Sequence, residues 1–228
     1  MAADASAANV NVRQLQFYVH AIELLDAQGV AHPFRLSAQS PWQSERVALV
    51  DLGSDAGTQR HAAIQGTFDA GKPHSYSGIR FTVGVPFDVN HANPLTATPP
   101  LDRGEMFWNW QSGHKFLRAD LAADGREWSF HLGSTGCSSA SALRPPAAPC
   151  AQPNEIRIEL KGDPLRQTIR MRLEPLLAAA RATNYATCTG NYAHDPACGP
   201  AYASTGLNAQ SGTCPDEHCT EQRLWALD

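Results

Sequence analysis

GIRFTVGVPFDV, residues 78–89, places Ile79, Phe81, Val83 and Val85 at every second position and then meets Pro86. Successive side chains of a strand point to opposite faces, so this spacing predicts a strand with one apolar face; Pro86 ends regular pairing. The same period recurs on both sides. In VNVRQLQFYVHAIELL, residues 10–25, Leu15, Phe17 and Val19 alternate with Gln14, Gln16, Tyr18 and His20, which predicts a half-buried strand. AQGV turns it towards HPFRL. RVALVDL, residues 46–52, is a short apolar run between turn residues, and REWSFHL sets Trp128, Phe130 and Leu132 against Ser129 and His131.

EMFWNWQSGHKFLRADL, residues 105–121, reads as strand, turn and strand with Ser112-Gly113 at the bend, so Trp108 and Trp110 share a face at strand spacing. On spacing alone they are a hydrophobic pair for a sandwich interior. EIRIEL and TIRMRL predict a hairpin about KGDP, and EPLLAAARA, with Pro175 in its first turn, predicts one short helix. EQRLWALD returns as a last edge strand. With 17 Gly and 16 Pro placed in short punctuating clusters, the pattern is all-β: an antiparallel β-sandwich or barrel-like domain over residues 10–183. A Cys-rich extension, residues 184–228, packs on the same domain as a disulfide-pinned C-terminal lobe.

Charge and hydropathy exclude some functions. With 18 basic and 22 acidic residues and no basic run, the chain lacks a footprint for nucleic acid or an anionic membrane. No apolar segment approaches the roughly 20 residues that span a bilayer. The opening MAADASAANVNV has no basic n-region and no apolar h-region. It reads as the start of a mature chain with an added Met1. Six cysteines, Cys137, Cys150, Cys188, Cys198, Cys214 and Cys219, lie in loop-like sequence and predict disulfides formed in the periplasm or outside the cell. Neighbour pairing is the simplest of the roughly 15 arrangements that six cysteines allow, and spacing does not choose among them.

Common catalytic patterns fail. Gly133-Ser134-Thr135-Gly136 is too short for a serine elbow, and H-E-x-x-H, P-loop and dinucleotide motifs are absent. Asp51 and Asp55 read as solvated turn carboxylates. Nine histidines remain, and imidazole is the commonest metal ligand. His20 and His131 lie opposite the apolar residues of their strands, and His91 follows a strand end. His32, His61, His74, His194 and His218 read as surface loop residues.

LQFYVHAIELLDAQG, WQSERVALVDL, GIRFTVGVPFDVNHANP, MFWNWQSGHKFLRADL and FHLGSTGC, followed by a second cysteine and PNEIRIEL, resemble the MbnP family in order from about Val12 to Leu177. The resemblance implies a periplasmic copper-binding protein, Cu(I) or Cu(II). It also implies a non-enzyme whose tryptophan is oxidised to kynurenine by a di-haem MauG-like partner, MbnH. His91 and His131 match family positions and are expected metal ligands. His20 is a plausible third. His114 stands where the family has tyrosine (GHKF for GYKF) and is the least expected ligand. Trp42, Trp108 and Trp110 all match family tryptophans and are candidates for modification. A family cysteine expected between Gly53 and Gly66 is missing. The rival reading is a secreted β-sandwich ligand-binding module with no metal role.

Overall fold

The computed structural model describes residues 2–4, 10–39, 41–54, 60–68, 75–190 and 192–228; Asp55 and His74 lie outside them. Its strands are β1 (Ala2–Asp4), β2 (Val10–Asp26), β3 (Ala31–Leu36), β4 (Ala48–Ser54), β5 (Gly66–Phe68), β6 (Tyr76–Val83), β7 (Phe107–Asn109), β8 (Gly113–Ala123), β9 (Arg126–Gly133), β10 (Ile156–Lys161), β11 (Ile169–Arg172) and β12 (Trp225–Leu227). The helices are short: α1 (Phe87–Asn90), α2 (Glu174–Ala182), α3 (Gly199–Ala203) and a 3-10 turn at Gly104–Met106. Among the described residues three α-helices thus stand where one was expected.

β2 organises a nine-stranded antiparallel sheet. Its first half pairs with β8 and β4, and its second half with β6 and β3. Between the two halves, register shifts around Ala21, which has φ 49°, reset which residues face inward. Leu15, Phe17 and Val19 before that point, and Ile22 and Leu24 after it, therefore all enter one core with Phe81, Val83, Leu117, Trp128 and Phe130. A small sheet ordered β1-β11-β12 covers this core together with α2, and β1 joins β11 in parallel. The arrangement is a sandwich, without closure into a barrel.

Both sides of β2 are covered. Tyr18, Val47, Leu49, Val85, Leu101, Met106 and Phe116 form a second buried cluster on the face away from the main core. The apolar run of β4 serves both faces, with Ala48, Val50 and Leu52 in the main core and Val47 and Leu49 in the second. Continuous apolar sequence is what a doubly covered strand requires. The half-buried reading of β2 is corrected accordingly. Gln16 is buried and donates from Nε2 to Asp51 Oδ2 at 2.9 Å, while the Tyr18 hydroxyl donates to the Pro100 carbonyl at 3.0 Å. Asp51 is likewise buried rather than solvated, and also accepts from the Gly53 amide.

The hairpin expected from EIRIEL and TIRMRL does not form. β10 pairs with β6, Ile156 opposite Val83, whereas β11 belongs to the small sheet. β10 is an edge strand and β11 the middle strand of the small sheet, so tertiary partners rather than the intervening turn decide the pairing.

The disulfides are Cys137–Cys150, Cys188–Cys198 and Cys214–Cys219. The second is the one most tightly integrated with the sheet. The Cys188 amide donates to the Ser129 carbonyl at 2.8 Å, and the Cys188 carbonyl accepts from the His131 amide at 2.9 Å, so the lobe supplies a parallel bridge along the open edge of β9. Cys198, Tyr202, Leu207 and Trp225 continue the main core. Replacing Cys188 and Cys198 together with alanine is expected to cost about 2–5 kcal/mol in denaturant-unfolding stability. A loss within error of zero would show that the bridge is incidental to the sheet edge.

Candidate metal centre

The loop from Pro86 to Trp110 lies over the second cluster, and Asn90 ties it to the sheet. The Asn90 side-chain oxygen accepts from the His114 amide at 2.8 Å, and its Nδ2 donates to Ser134 Oγ at 3.0 Å. Gly113 permits this approach: its φ is +76°, and a Cβ there would lie 2.7 Å from the Asn90 carbonyl oxygen.

His91, beside Asn90, is buried. Its Nδ1 lies 3.1 Å from the Trp110 carbonyl, a contact that fixes the proton on Nδ1 and leaves a lone pair on Nε2. Burial lowers the imidazole below its usual range and so favours the neutral form that ligates metals. Around Nε2 lie Asn90 Nδ2 at 3.4 Å and the sulfur of Cys150 at 3.8 Å.

His131, half-buried on β9, is anchored through the other nitrogen: its Nε2 meets Asp120 Oδ1 at 2.7 Å. Burial by itself would raise the Asp120 carboxyl, but hydrogen bonds from His131 and Ser129 and the charges of His131 and Arg118 outweigh it. The group stays well below the ordinary carboxylate range. Arg118 Nε approaches the second carboxylate oxygen at 2.6 Å. A histidine oriented by a carbonyl or a carboxylate is the usual support of a metal-binding imidazole.

Trp108 and Trp110 do not form the expected interior pair. β7 ends at Asn109, so Trp110 falls in the turn, and both rings are half-buried outside the two cores. The six-membered ring of Trp108 packs against Gly133, where a Cβ would sit 2.5 Å from its Cζ3. Strand alternation puts Gly133 on the same side as His131. The Trp-Asn-Trp segment therefore touches His91 through the Trp110 carbonyl and meets the end of β9, two residues beyond His131, through the Trp108 ring. Trp42 is placed elsewhere, stacked on His61 at 4.9 Å with the Arg103 guanidinium 4.7 Å from its ring centroid. His61 is thus a packing partner and not a free loop residue.

The other two expected ligands have different surroundings. His114 is fully buried, with Nδ1 2.6 Å from the Asn90 carbonyl and Nε2 3.0 Å from the Leu101 carbonyl, so both nitrogens face backbone acceptors. Tyr18 and Phe107 present rings to it at 5.8 and 5.0 Å. As placed it is a packed cross-brace. His20 faces Glu155 Oε1 at 3.3 Å and shares a cavity wall with Cys150 and Asn90. Among the described residues, the group of three His, Cys, Asp or Glu ligand atoms within 4.8 Å of one another is His91, Cys137 and Cys150, whose sulfurs are bonded to each other.

Two positioning residues carry no local sequence signal. The Tyr192 hydroxyl donates to the His131 carbonyl at 2.6 Å and accepts from the Gly133 amide at 3.1 Å, closing the edge of β9 where the lobe's backbone stops. Asn154 donates to the Gly133 carbonyl at 2.8 Å and is itself held by the Tyr202 hydroxyl.

These features define a disulfide-stapled β-sandwich in which a tryptophan-rich turn orients one imidazole, His91, and a carboxylate orients another, His131. A sequence model of the MbnP family matches residues 2–190, and the chain belongs to that family. Among solved structures, MbnP from Methylosinus trichosporium is similar, with a TM-score of 0.77 and 25% identity over 96% of this chain and 87% of that one. No curated protein sequence matches. No helix among the described residues is long and apolar enough to cross a membrane.

Two outcomes are expected from this geometry. Tyr192→Phe leaves a buried amide and a carbonyl without their partner and should cost about 1–3 kcal/mol in unfolding stability; no loss would remove Tyr192 from the account. Because the Asp120 carboxyl is lowered on folding, its contribution is complete above the unfolded value of about 4 and declines as pH falls below it. The stability gap between wild type and Asp120→Asn should therefore narrow from about pH 5 to about pH 2 in pH-resolved denaturation. A constant gap would contradict it.

Proposed function

We propose that the protein is a periplasmic copper-binding protein, itself the substrate of a di-haem oxidase of the MbnH type, and not an enzyme. His91 and His131 are the leading ligands, offering Nε2 and Nδ1 respectively, with His20 as a subsidiary candidate. The observation that carries this reading is the Trp110 carbonyl holding His91 Nδ1, which presents a neutral, oriented imidazole in a dry setting. Neutral imidazoles suit copper in either valence. Asp120 gives His131 matching support.

We assign the oxidised tryptophan to the Trp108/Trp110 segment in preference to Trp42. The Arg103 cation over the Trp42 face opposes removal of an electron from that ring. Trp108 lines an open cavity with Ser134, Gly136 and Cys137, so its ring has a route to solvent and room for the change of shape. Opening an indole to kynurenine adds one oxygen and removes one carbon. An apolar ring becomes an aryl ketone with a free aniline nitrogen, a polar group able to lie beside a metal. Between them the chain supplies the orienting carbonyl, the carboxylate and the enclosed wall; copper supplies Lewis acidity or one-electron chemistry when bound.

The test uses protein made with and without its di-haem partner. Coproduction is expected to add about 4 Da, mapped to the peptide containing Trp108 and Trp110. His91→Ala and His131→Ala should each weaken copper binding by about tenfold or more. Unchanged binding in both variants, or a mass shift mapped to Trp42, would overturn the assignment.

A further inference from the structure

The Cys137–Cys150 bridge differs from the other two in its neighbours and in its access. Cys150 is buried with its sulfur 3.8 Å from His91 Nε2. Cys137 is half-exposed, has Ser134 Oγ 3.8 Å from its sulfur, and lines a surface cavity with Trp108, Ser112 and Thr189. In contrast, Cys188 and Cys198 are wholly enclosed, and Cys214 and Cys219 are buried as well. A thiol arriving from solvent therefore meets the sulfur of Cys137 first, and attack there makes Cys150 the leaving thiolate.

We propose that this bridge is a redox gate on a soft metal site, in which reduction by a dithiol frees Cys137 and Cys150 to join His91 Nε2 as a two-sulfur, one-nitrogen ligand set. While the sulfurs are bonded to each other neither is a thiolate, and the group is not a ligand set. Reduction breaks the S–S bond; two electrons and two protons pass from the dithiol, which closes to its own disulfide. Metal binding then releases the thiol protons. The three ligand atoms already lie within 4.8 Å of one another. Metal–sulfur bonds of about 2.3 Å in a trigonal set need ligand atoms about 4 Å apart, so the main change is separation of the two sulfurs. The loop of residues 138–149 is largely exposed, while the Thr135–Gln152 pairing and the Ala151 amide on the Gly136 carbonyl keep its ends together, so the sulfurs separate by side-chain rotation and the backbone beside them stays paired. Two thiolates and one imidazole favour monovalent copper or a thiophilic d10 ion over the harder divalent cations.

The site shares His91 with the copper centre proposed above but stands without it, since copper binding by the oxidised protein tests that centre alone. For the gated site, wild-type protein is treated anaerobically with limiting dithiothreitol, desalted and titrated with cadmium(II), while alkylation and peptide mass mapping report which cysteines have opened. Cys137 and Cys150 should be alkylated first. The reduced protein should then take up a cadmium ion with a thiolate-to-metal charge-transfer band that the oxidised protein lacks. Cys137→Ser/Cys150→Ser should lose that band, and reduced His91→Ala should bind about tenfold more weakly. Earlier opening of another bridge, an equal band in the oxidised protein, or equal cadmium binding by the double-serine protein would overturn the proposal. So would unaltered affinity in His91→Ala. The alkylation map is made on the wild-type chain and needs no variant to fold.

Discussion

Tyr18 lies wholly buried on the side of the central strand that faces away from the main core. A buried phenol needs an acceptor, and it finds one in the Pro100 carbonyl, in the middle of the Pro-rich loop. That contact brings the loop across the sheet and makes a second apolar layer from Val47, Leu49, Val85, Leu101, Met106 and Phe116. Once the loop is down, Asn90 can bond Ser134 and the start of β8, and His91 can reach the Trp110 carbonyl. The candidate metal centre is thus a consequence of covering β2 twice.

Support for the centre comes from two parts of the chain that are far apart in sequence. The loop orients His91. The C-terminal lobe fixes β9 around His131, through the backbone of Cys188 and the hydroxyl of Tyr192. Both sides meet at Gly133, whose missing side chain admits the Trp108 ring and whose amide and carbonyl are held by Tyr192 and Asn154. Precise sites need ligands locked by such surrounding bonds, and here the locks sit on strands and a disulfide-pinned lobe. His114 adds to this frame, because its ring lies between the Asn90 and Leu101 carbonyls and so packs the loop against β8.

Alternation made much of the sandwich legible. The core faces of β6 and β9 follow directly from Ile79, Phe81 and Val83 and from Trp128, Phe130 and Leu132. What alternation does not encode is what covers the other face, so Gln16, Tyr18 and Asp51 read as exposed and are buried. Nor does it encode partner choice: β10 and β11 look like a hairpin and join different sheets. The tryptophan pair misread for a related reason, since its strand stops at Asn109 and the bend begins at Trp110, two residues earlier than the Ser-Gly signal suggests. Tyr192, Asn90 and Asn154 act through long-range hydrogen bonds, and no local pattern marks them. The ordered family motifs drew attention to His91 and His131; only the fold displays how each ring is held.

The proposed function assigns one copper ion to His91 and His131, beside the Trp108–Trp110 segment. Anomalous diffraction at the copper edge from crystals of the copper-loaded, partner-processed protein tests it most directly. A single strong peak is expected within about 2 Å of His91 Nε2 and of His131 Nδ1, next to the modified residue. A peak at His20 and Glu155, or one beside His91 with His131 Nδ1 distant from the metal, would count against it.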